Sequence, residues 1–307
     1  MVDQARFREA ERHLWNTLGL DPTERRVHLN TIDVDVRVQE TGAGPPVLFV
    51  HGGTTSGMSW ATLAARLTGF RCILVDRPGT GTSQPLLERI DREALPKLGK
   101  ALIVDVLDAL GLDAAHVVAT SLGGFLALHT CAAQPDRVRR MVQFSWPMGA
   151  PNPKLPGFFR AAAVPGVSEL MGVVPPNERS VRKLFQLLGH GPSLADGRIT
   201  DEDVAAYLAL LRNTDTMRNE AAFARAIMTP TGKLHPNVLP DDLVSSITTS
   251  TLFLWGENDP FGGEAVARRL VDLMPNTALE MLPGAGHAPW LDDLDYCSAA
   301  TARFLNA

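Results

Sequence analysis

The sequence predicts an α/β fold with a mostly parallel β-sheet that helices cover on both faces. Short, nearly continuous apolar runs recur along the chain, and segments of helical pattern separate them. Strands that are buried on both faces have such unbroken runs, and parallel strands need a crossover, usually a helix, between them. The runs cover residues 47–50, 72–75, 117–119, 141–144, 252–255 and 279–282.

The beginning of the chain shows two other patterns. Residues 4–20 carry apolar side chains at helical spacing, which predicts a helical N-terminal extension over residues 1–24, with Trp15 as its anchor on the rest of the protein. Residues 25–29 and 33–39 alternate between apolar and polar side chains. This alternation indicates a β-hairpin with one solvated face, which adds two strands before the first continuous run.

Helical patterns complete the chain. Those between and after the strands cover residues 58–67, 91–110, 123–133, 263–273 and 290–305. From 146 to 246 the alternation stops, and prolines are followed by helical patterns near 178–189, 201–212 and 219–228. This stretch predicts a helical cap, residues 147–247, inserted after the sixth strand. The α/β core then consists of residues 1–146 and 248–307.

Composition excludes several classes of partner. A formal net charge of −5 and a pI of about 5.9 argue against nucleic acid or an anionic membrane as the main partner. The three cysteines are far apart, so no disulfide framework is indicated. The charged N-terminus lacks the apolar core of a signal peptide, and no apolar run reaches the length of a membrane span. We expect a cytoplasmic monomer or homodimer that acts on a small molecule.

A serine marks the end of one of the central strands. The apolar run at 116–119 stops before Ser121, and a helical pattern begins immediately after it. A strand, a sharp turn and a helix with serine at the apex form the context of a nucleophile elbow. Ala119 and Gly123 are small, as the close approach of strand and helix requires. The alternative role for this serine is an ordinary helix N-cap.

An acid and a histidine follow two other strands. Asp259 comes after the run at 252–255, and His287 follows the run at 279–282 in a Gly-Ala-Gly loop. Sites in open α/β sheets form at the carboxyl ends of the strands, so these side chains can meet Ser121 there. With this order of serine, acid and histidine, the chain resembles the α/β-hydrolase superfamily over residues 25–146 and 248–307.

The resemblance implies a role for each residue. Ser121 matches the nucleophile, Asp259 the acid and His287 the base, and the backbone N–H groups of Gly53 and Leu122 match the two donors of an oxyanion hole. A serine hydroxyl becomes a good nucleophile when an imidazole takes its proton and a carboxylate orients that imidazole.

Several neighbouring residues have competing or structural roles. Glu257 is an alternative acid, and His287 could instead cap the final helix. His51 and the turn Asp76-Arg77-Pro78-Gly79 match family motifs that we interpret as structural, with Arg77 or Asp76 in an ion pair. The remaining histidines lack metal-ligand spacing, and Gly79-x-Gly81 lacks the residues of a phosphate cradle, so we expect neither metal nor cofactor.

These residues predict a serine hydrolase that cleaves a small, largely apolar ester, lactone or related carbonyl compound through an acyl-enzyme. The cap is rich in apolar side chains, and Trp146, Phe158 and Met217 are candidates for substrate contact. Ser121 argues against the epoxide hydrolases and haloalkane dehalogenases of the superfamily, which use aspartate. The alternatives that stay open are a carbon–carbon bond hydrolase acting on a vinylogous diketone, an iminopeptidase-like amidase, a cofactor-free perhydrolase or lyase, and a ligand receptor with slow turnover.

Overall fold

The structure is a computed structural model, and it describes residues 3–87, 90–152, 155–162, 164, 175–229, 231, 233–236 and 238–307. Its centre is an eight-stranded sheet with the strand order β1-β2-β4-β3-β5-β6-β7-β8. Strand β2 runs antiparallel to β1 and β4, and the other neighbours are parallel. The strands are β1 Thr23–Leu29, β2 Val34–Thr41, β3 Pro46–Val50, β4 Arg71–Val75, β5 Ala115–Thr120, β6 Val138–Pro147, β7 Thr251–Gly256 and β8 Thr277–Leu282.

Helices cover both faces of this sheet, as the unbroken apolar runs predicted. On one face α3, α4 and α11 bury their apolar side chains, and on the other face α1, α2 and α12 do so. These helices are α1 Gln4–Thr17, α2 Ala61–Arg66, α3 Ala94–Ala109, α4 Ser121–Ala133, α11 Glu264–Leu273 and α12 Leu294–Asn306. The predicted fold class is therefore confirmed.

The segment between β6 and β7 contains helices and adds no strand to the sheet within its described residues. We call them the cap helices: α5 Gly157–Ala162, α6 Glu178–Leu187, α7 Gly191–Ala195, α8 Asp201–Asn213, α9 Thr216–Ile227 and α10 Asp241–Ser245. Their insertion after the sixth strand agrees with the sequence, whereas the division into a core and a separate cap domain stays a prediction. Among the described residues, no helix is both long and apolar enough to cross a membrane.

The N-terminal helix α1 joins the core to the cap helices. Trp15 is buried in an apolar cluster that also contains Leu210 of α8. On the same helix the buried carboxylate of Glu11 pairs with the guanidinium of Arg37 on β2. Burial raises the pKa of Glu11, and the Arg37 charge opposes that rise. Trp15 therefore anchors α1 as the sequence predicted, and an ion pair that the sequence did not reveal adds to it.

Three element boundaries differ from the sequence prediction for local reasons. A 3₁₀ turn at Gly57–Trp60 precedes α2. The closing helix begins at Leu294, because Pro289 starts another 3₁₀ turn and the Asp293 side chain then caps the helix by accepting from the N–H of Tyr296. Strand β6 continues to Pro147. Its extra residues carry the backbone of Trp146 into the candidate site.

Candidate active site

Ser121 lies at the sharp turn from β5 into α4. Its φ is +51°, in the left-handed region that residues with a side chain rarely adopt. Such a conformation costs about 1–3 kcal/mol and persists where the surroundings enforce it. A Cβ at Gly123 would collide with the carbonyl oxygen of Val50 on β3, so strand and helix pack closely here. The turn presents Ser121 at the N-terminus of α4, where unpaired N–H groups favour an oxyanion.

Asp259 and His287 form a buried pair. The imidazole Nδ1 of His287 lies 3.0 Å from Asp259 Oδ2. Asp259 also accepts from the N–H of Trp146 at 3.0 Å and from that of Phe261 at 2.9 Å. A carboxylate only accepts, so Nδ1 of His287 carries the proton and Nε2 is left as a base. These contacts orient the imidazole as a general base requires.

The structure also separates the two candidate acids. Glu257 is exposed and accepts from the N–H of Gly284 at 3.1 Å. The carboxylate that contacts the imidazole belongs to Asp259 instead. Glu257 follows β7 directly, whereas Asp259 lies two residues later, where the N–H groups of Trp146 and Phe261 hold its carboxylate. The candidate acid is therefore Asp259.

Ser121 and His287 lie on the wall of one cavity. Within the described part of the chain, no hydrogen bond joins the Ser121 hydroxyl to the imidazole. Contacts between a nucleophile and its base are often long in a site without substrate and shorten when substrate binds. The structure thus brings all three side chains to one place and pairs two of them.

The loop after β3 lies beside the serine. A Cβ on Gly52 would be 3.0 Å from the Ser121 Cβ, so glycine allows this approach. The N–H of Thr54 donates to Glu220 Oε2 at 3.0 Å, and the carbonyl of Thr54 accepts from the Tyr207 hydroxyl at 2.7 Å. No described group accepts from the N–H of Gly53, which leaves that donor available to an oxyanion. Leu122, in the first turn of α4, carries the other candidate donor.

A buried ion pair connects this loop to the cap helices. Arg77 lies 2.8 Å from Glu220 on α9, and it also donates to the carbonyls of His51 and Gly52 at 3.0 and 2.7 Å. The His51 imidazole accepts from the N–H of Arg77 at 3.0 Å. Burial, with the Arg77 charge nearby, lowers the pKa of His51 well below 6.5. His51 is therefore a neutral structural residue, and the ion pair expected at this turn has its partner on the cap.

The cavity has a volume of about 920 Å³ and lies between the strand ends and the cap helices. Met217 is on its wall, as the sequence proposed for a substrate contact. Trp146 is not among the described wall residues, because its ring is stacked on Phe261 and fully buried. The side chain of Phe158 lies outside the described residues. Apolar wall residues include Met58, Phe159, Phe185, Phe223 and Phe261.

The polar cap-helix residues that hold the loop after β3 were not evident from the sequence. Glu220 and Tyr207 contact the Thr54 backbone from separate cap helices, more than 150 residues away along the chain. Burial, with Glu220 nearby, raises the pKa of Tyr207, so its hydroxyl stays a neutral donor. Neither residue belongs to a local motif. A charge at a buried position of a helix is a possible signal, but it appears only when the burial pattern of α9 is known.

Comparison with known proteins agrees with this fold. A family model for the alpha/beta hydrolase fold matches residues 45–294. The chain therefore belongs to the α/β-hydrolase family and is an enzyme of that type.

Similar proteins include a curated relative and two solved structures. The chain is 28% identical over 281 residues to the 2-hydroxy-6-oxononadienedioate/2-hydroxy-6-oxononatrienedioate hydrolase of Burkholderia vietnamiensis, with 88% of each chain covered. Naproxen esterase from Bacillus subtilis superposes with a TM-score of 0.77 at 20% identity, over 99% of both chains. A meta-cleavage product hydrolase from Pseudomonas fluorescens superposes with a TM-score of 0.72 at 20% identity, over 92% of this chain and 97% of that one. The two superpositions show the fold alone.

Proposed function

We propose that this protein is a serine hydrolase that cleaves a small, largely apolar ester or lactone through an acyl-enzyme. Ser121 Oγ attacks the carbonyl carbon while His287 Nε2 takes its proton, and the N–H groups of Gly53 and Leu122 bind the oxyanion. The alcohol then leaves with the proton from His287. Water hydrolyses the acyl-enzyme by the same steps, with Asp259 orienting the imidazole throughout.

The observation that carries this proposal is the joint position of three groups. His287, paired with Asp259 at 3.0 Å, shares one cavity wall with Ser121, whose backbone is held in a strained turn. Strain of this kind is stored at functional sites because the surrounding structure enforces it. A helix N-cap alone does not need a positive φ.

The cavity supports a small substrate with apolar groups. Its volume of about 920 Å³ is within the range of small-molecule sites. Polar wall residues already have partners near the loop after β3, since Glu220 pairs with Arg77 and the Tyr207 hydroxyl with the Thr54 carbonyl. Aromatic and methionine side chains from the core and the cap helices supply apolar surface for the substrate.

The second candidate is a carbon–carbon bond hydrolase that acts on a vinylogous diketone. It is favoured by the relative from Burkholderia vietnamiensis, whose name is that of such a hydrolase and which matches over 88% of each chain. The bond that breaks is next to a ketone carbon, so the same nucleophile, base and oxyanion donors apply. A dienedioate carries carboxylates, and the cavity wall includes the exposed guanidinium of Arg212.

A panel of substrates tests both candidates with one set of variants. The panel contains p-nitrophenyl butyrate, a lactone, an amide and 2-hydroxy-6-oxo-6-phenylhexa-2,4-dienoate. We expect Ser121→Ala to lower kcat by about 10⁴-fold or more on every substrate that the enzyme accepts. Ser59→Ala is the matched control, because Ser59 is another serine of the cavity wall whose hydroxyl donates to the Ser56 carbonyl.

The ratio of kcat/KM values decides between the candidates. A preference for the ester or lactone supports the first candidate, and a preference for the dienoate supports the second. Near wild-type turnover by Ser121→Ala would overturn both, because each uses the same nucleophile.

A further inference from the structure

The loop that carries His287 is held at three consecutive backbone N–H groups. We call residues 283–288 the histidine loop. The N–H of Gly286 donates to Asp292 Oδ2 at 2.8 Å, and that of His287 donates to the Leu188 carbonyl at 2.9 Å. The N–H of Ala288 donates to His190 Nε2 at 3.2 Å. Leu188 and His190 lie in the turn between α6 and α7. This turn and Asp292 together hold the histidine loop.

His190 and Asp292 form a second buried Asp–His pair. Nδ1 of His190 lies 2.8 Å from Asp292 Oδ2, and the imidazole is fully buried. The other carboxylate oxygen of Asp292 accepts from the Ser193 hydroxyl on α7. Since the carboxylate accepts at Nδ1 and Ala288 donates to Nε2, both nitrogens of His190 are occupied. His190 is thus on the cavity wall without a free nitrogen for proton transfer.

Two glycines allow the turn between α6 and α7 to pack against the histidine loop. A Cβ on Gly286 would be 2.9 Å from His190 Cε1, and a Cβ on Gly189 would be 2.8 Å from the Gly286 Cα. Glycines also give the histidine loop conformational freedom, and Gly284 adopts a φ of +72°. A glycine-rich loop keeps one conformation when other groups fix its backbone. Here those groups are the Leu188 carbonyl, the His190 imidazole and the Asp292 carboxylate.

We propose that His190, oriented by Asp292, is a positioning residue that fixes the direction of the His287 imidazole from the cap. This inference rests on the proposed role of His287 as the base for Ser121. Asp259 holds the imidazole of His287 at Nδ1, and the Phe261 ring lies beside it with the ring centroids 4.6 Å apart, while the backbone of the histidine loop sets where the side chain begins. A misplacement of about 1 Å by a distant mutation can cost on the order of 10²-fold in rate.

Three variants separate the two hydrogen bonds of His190. His190→Gln places an amide oxygen near the position of Nε2 and keeps an acceptor for Ala288. His190→Asn keeps a donor in reach of Asp292 but has no acceptor that reaches Ala288. His190→Ala removes both. His129→Gln is the matched control, because His129 is an equally buried histidine in α4 whose ring nitrogens contact no described polar group.

A fluorophosphonate probe measures the positioning directly. Ser121 Oγ forms a bond to phosphorus as the P–F bond breaks, fluoride leaves, and His287 takes the serine proton. The labelling rate therefore reports the alignment of Ser121 and His287 and needs little substrate recognition. For the preferred substrate of the panel, kcat and KM are measured beside it, and Tm is recorded for each variant.

We expect His190→Ala and His190→Asn to lower the labelling rate and kcat by about 10- to 100-fold, with KM within about twofold of wild type. His190→Gln restores most of the rate, because it restores the acceptor for Ala288. His129→Gln lowers Tm without lowering the labelling rate.

Other outcomes overturn distinct statements. Unchanged labelling by His190→Ala, or equal losses in the Gln and Asn variants, overturns the positioning role. A raised KM with unchanged kcat does so too, because it marks a substrate contact. A wild-type protein that the probe does not label at Ser121 overturns the proposed function, and this inference with it.

Discussion

Among the described residues, two buried Asp–His pairs lie in one region, and only one of them has the properties of a general base. In both pairs Nδ1 of the imidazole contacts a carboxylate oxygen, at 3.0 Å for His287 and 2.8 Å for His190. The difference is the other nitrogen. Nε2 of His190 accepts from a backbone N–H, whereas no described group forms a hydrogen bond with Nε2 of His287.

The free ring nitrogen is the feature that distinguishes a candidate base. A buried carboxylate beside an imidazole orients the ring in both cases. Proton transfer also needs a free nitrogen on the cavity wall and a nucleophile nearby. His287 meets these conditions with Ser121, and His190 does not. An Asp–His pair alone is therefore a structural motif as much as a catalytic one.

Replacing the two carboxylates should produce the largest contrast. Asp259→Ala removes the carboxylate that holds Nδ1 of His287, so the tautomer of the ring is no longer fixed and its cation is no longer stabilised. We expect kcat to fall by about 10⁴-fold with KM nearly unchanged. Asp292→Ala removes the acceptor shared by His190 Nδ1 and the N–H of Gly286, which should lower kcat by about 10- to 100-fold.

Steady-state kinetics of both variants, beside wild type, check this contrast. Equal losses would contradict the distinction between the pairs, because they would give the same role to the two carboxylates. Circular dichroism and Tm are needed as controls, since Asp292 also contacts Ser193 and Gly286.

The buried ion pair between Arg77 and Glu220 connects the loop after β3 to the cap helices. Breaking this pair should lower the stability of the protein. Glu220→Gln leaves the buried guanidinium of Arg77 without its carboxylate. Breaking one partner of a buried pair costs about 3–5 kcal/mol, so we expect the free energy of unfolding in urea to fall by that amount. Activity should fall as well, because the N–H of Thr54 loses a charged acceptor and the Gly53 donor shifts.

The matched control for Glu220 is an exposed pair. Glu178→Gln removes one of the two carboxylates that pair with Arg182 on α6, where the side chains contact solvent. Exposed ion pairs contribute little, so its urea unfolding should resemble that of wild type. Similar losses in the two variants would show that burial does not decide the contribution of these pairs.

A third buried histidine extends the comparison to a ring without a carboxylate. Burial, with the charge of Lys100, lowers the pKa of His129 from 6.5 to about 4. Below pH 6.5 the unfolded chain binds a proton that the folded protein does not, so stability is lost as the pH falls from 6.5 towards 4. The shift corresponds to a loss of about 3 kcal/mol at the acid end of this window.

Urea unfolding at several pH values tests this, with His129→Leu beside wild type. The variant lacks the titrating group and should lose less stability between pH 6.5 and 4. Both proteins keep a further acid-dependent contribution from His116, whose pKa burial also lowers to about 4. Parallel pH profiles for the two proteins would contradict the prediction for His129.

Much of the fold could be predicted because its signals are local. Each central strand is a continuous apolar run, since both faces are buried, and each run reappears as a strand of the sheet. The turn at Ser121 could also be predicted, because the strand, the small residues and the helix lie within a few positions of each other. Its positive φ agrees with the expected sharp turn. The boundaries at α2, β6 and α12 were less exact, because turn and capping interactions decide them.

The sequence by itself determined the fold class, the insertion of the cap helices after β6, and the three strand ends that carry Ser121, Asp259 and His287. Tertiary structure alone decided that His287 contacts Asp259 while Glu257 points to solvent, and that Glu220 and His190 hold the two loops of the site. The physical reason is the distance along the chain. The periodicity of apolar residues indicates which face of a helix or strand is buried. A buried polar side chain contacts its partner only when the packed elements bring the two together.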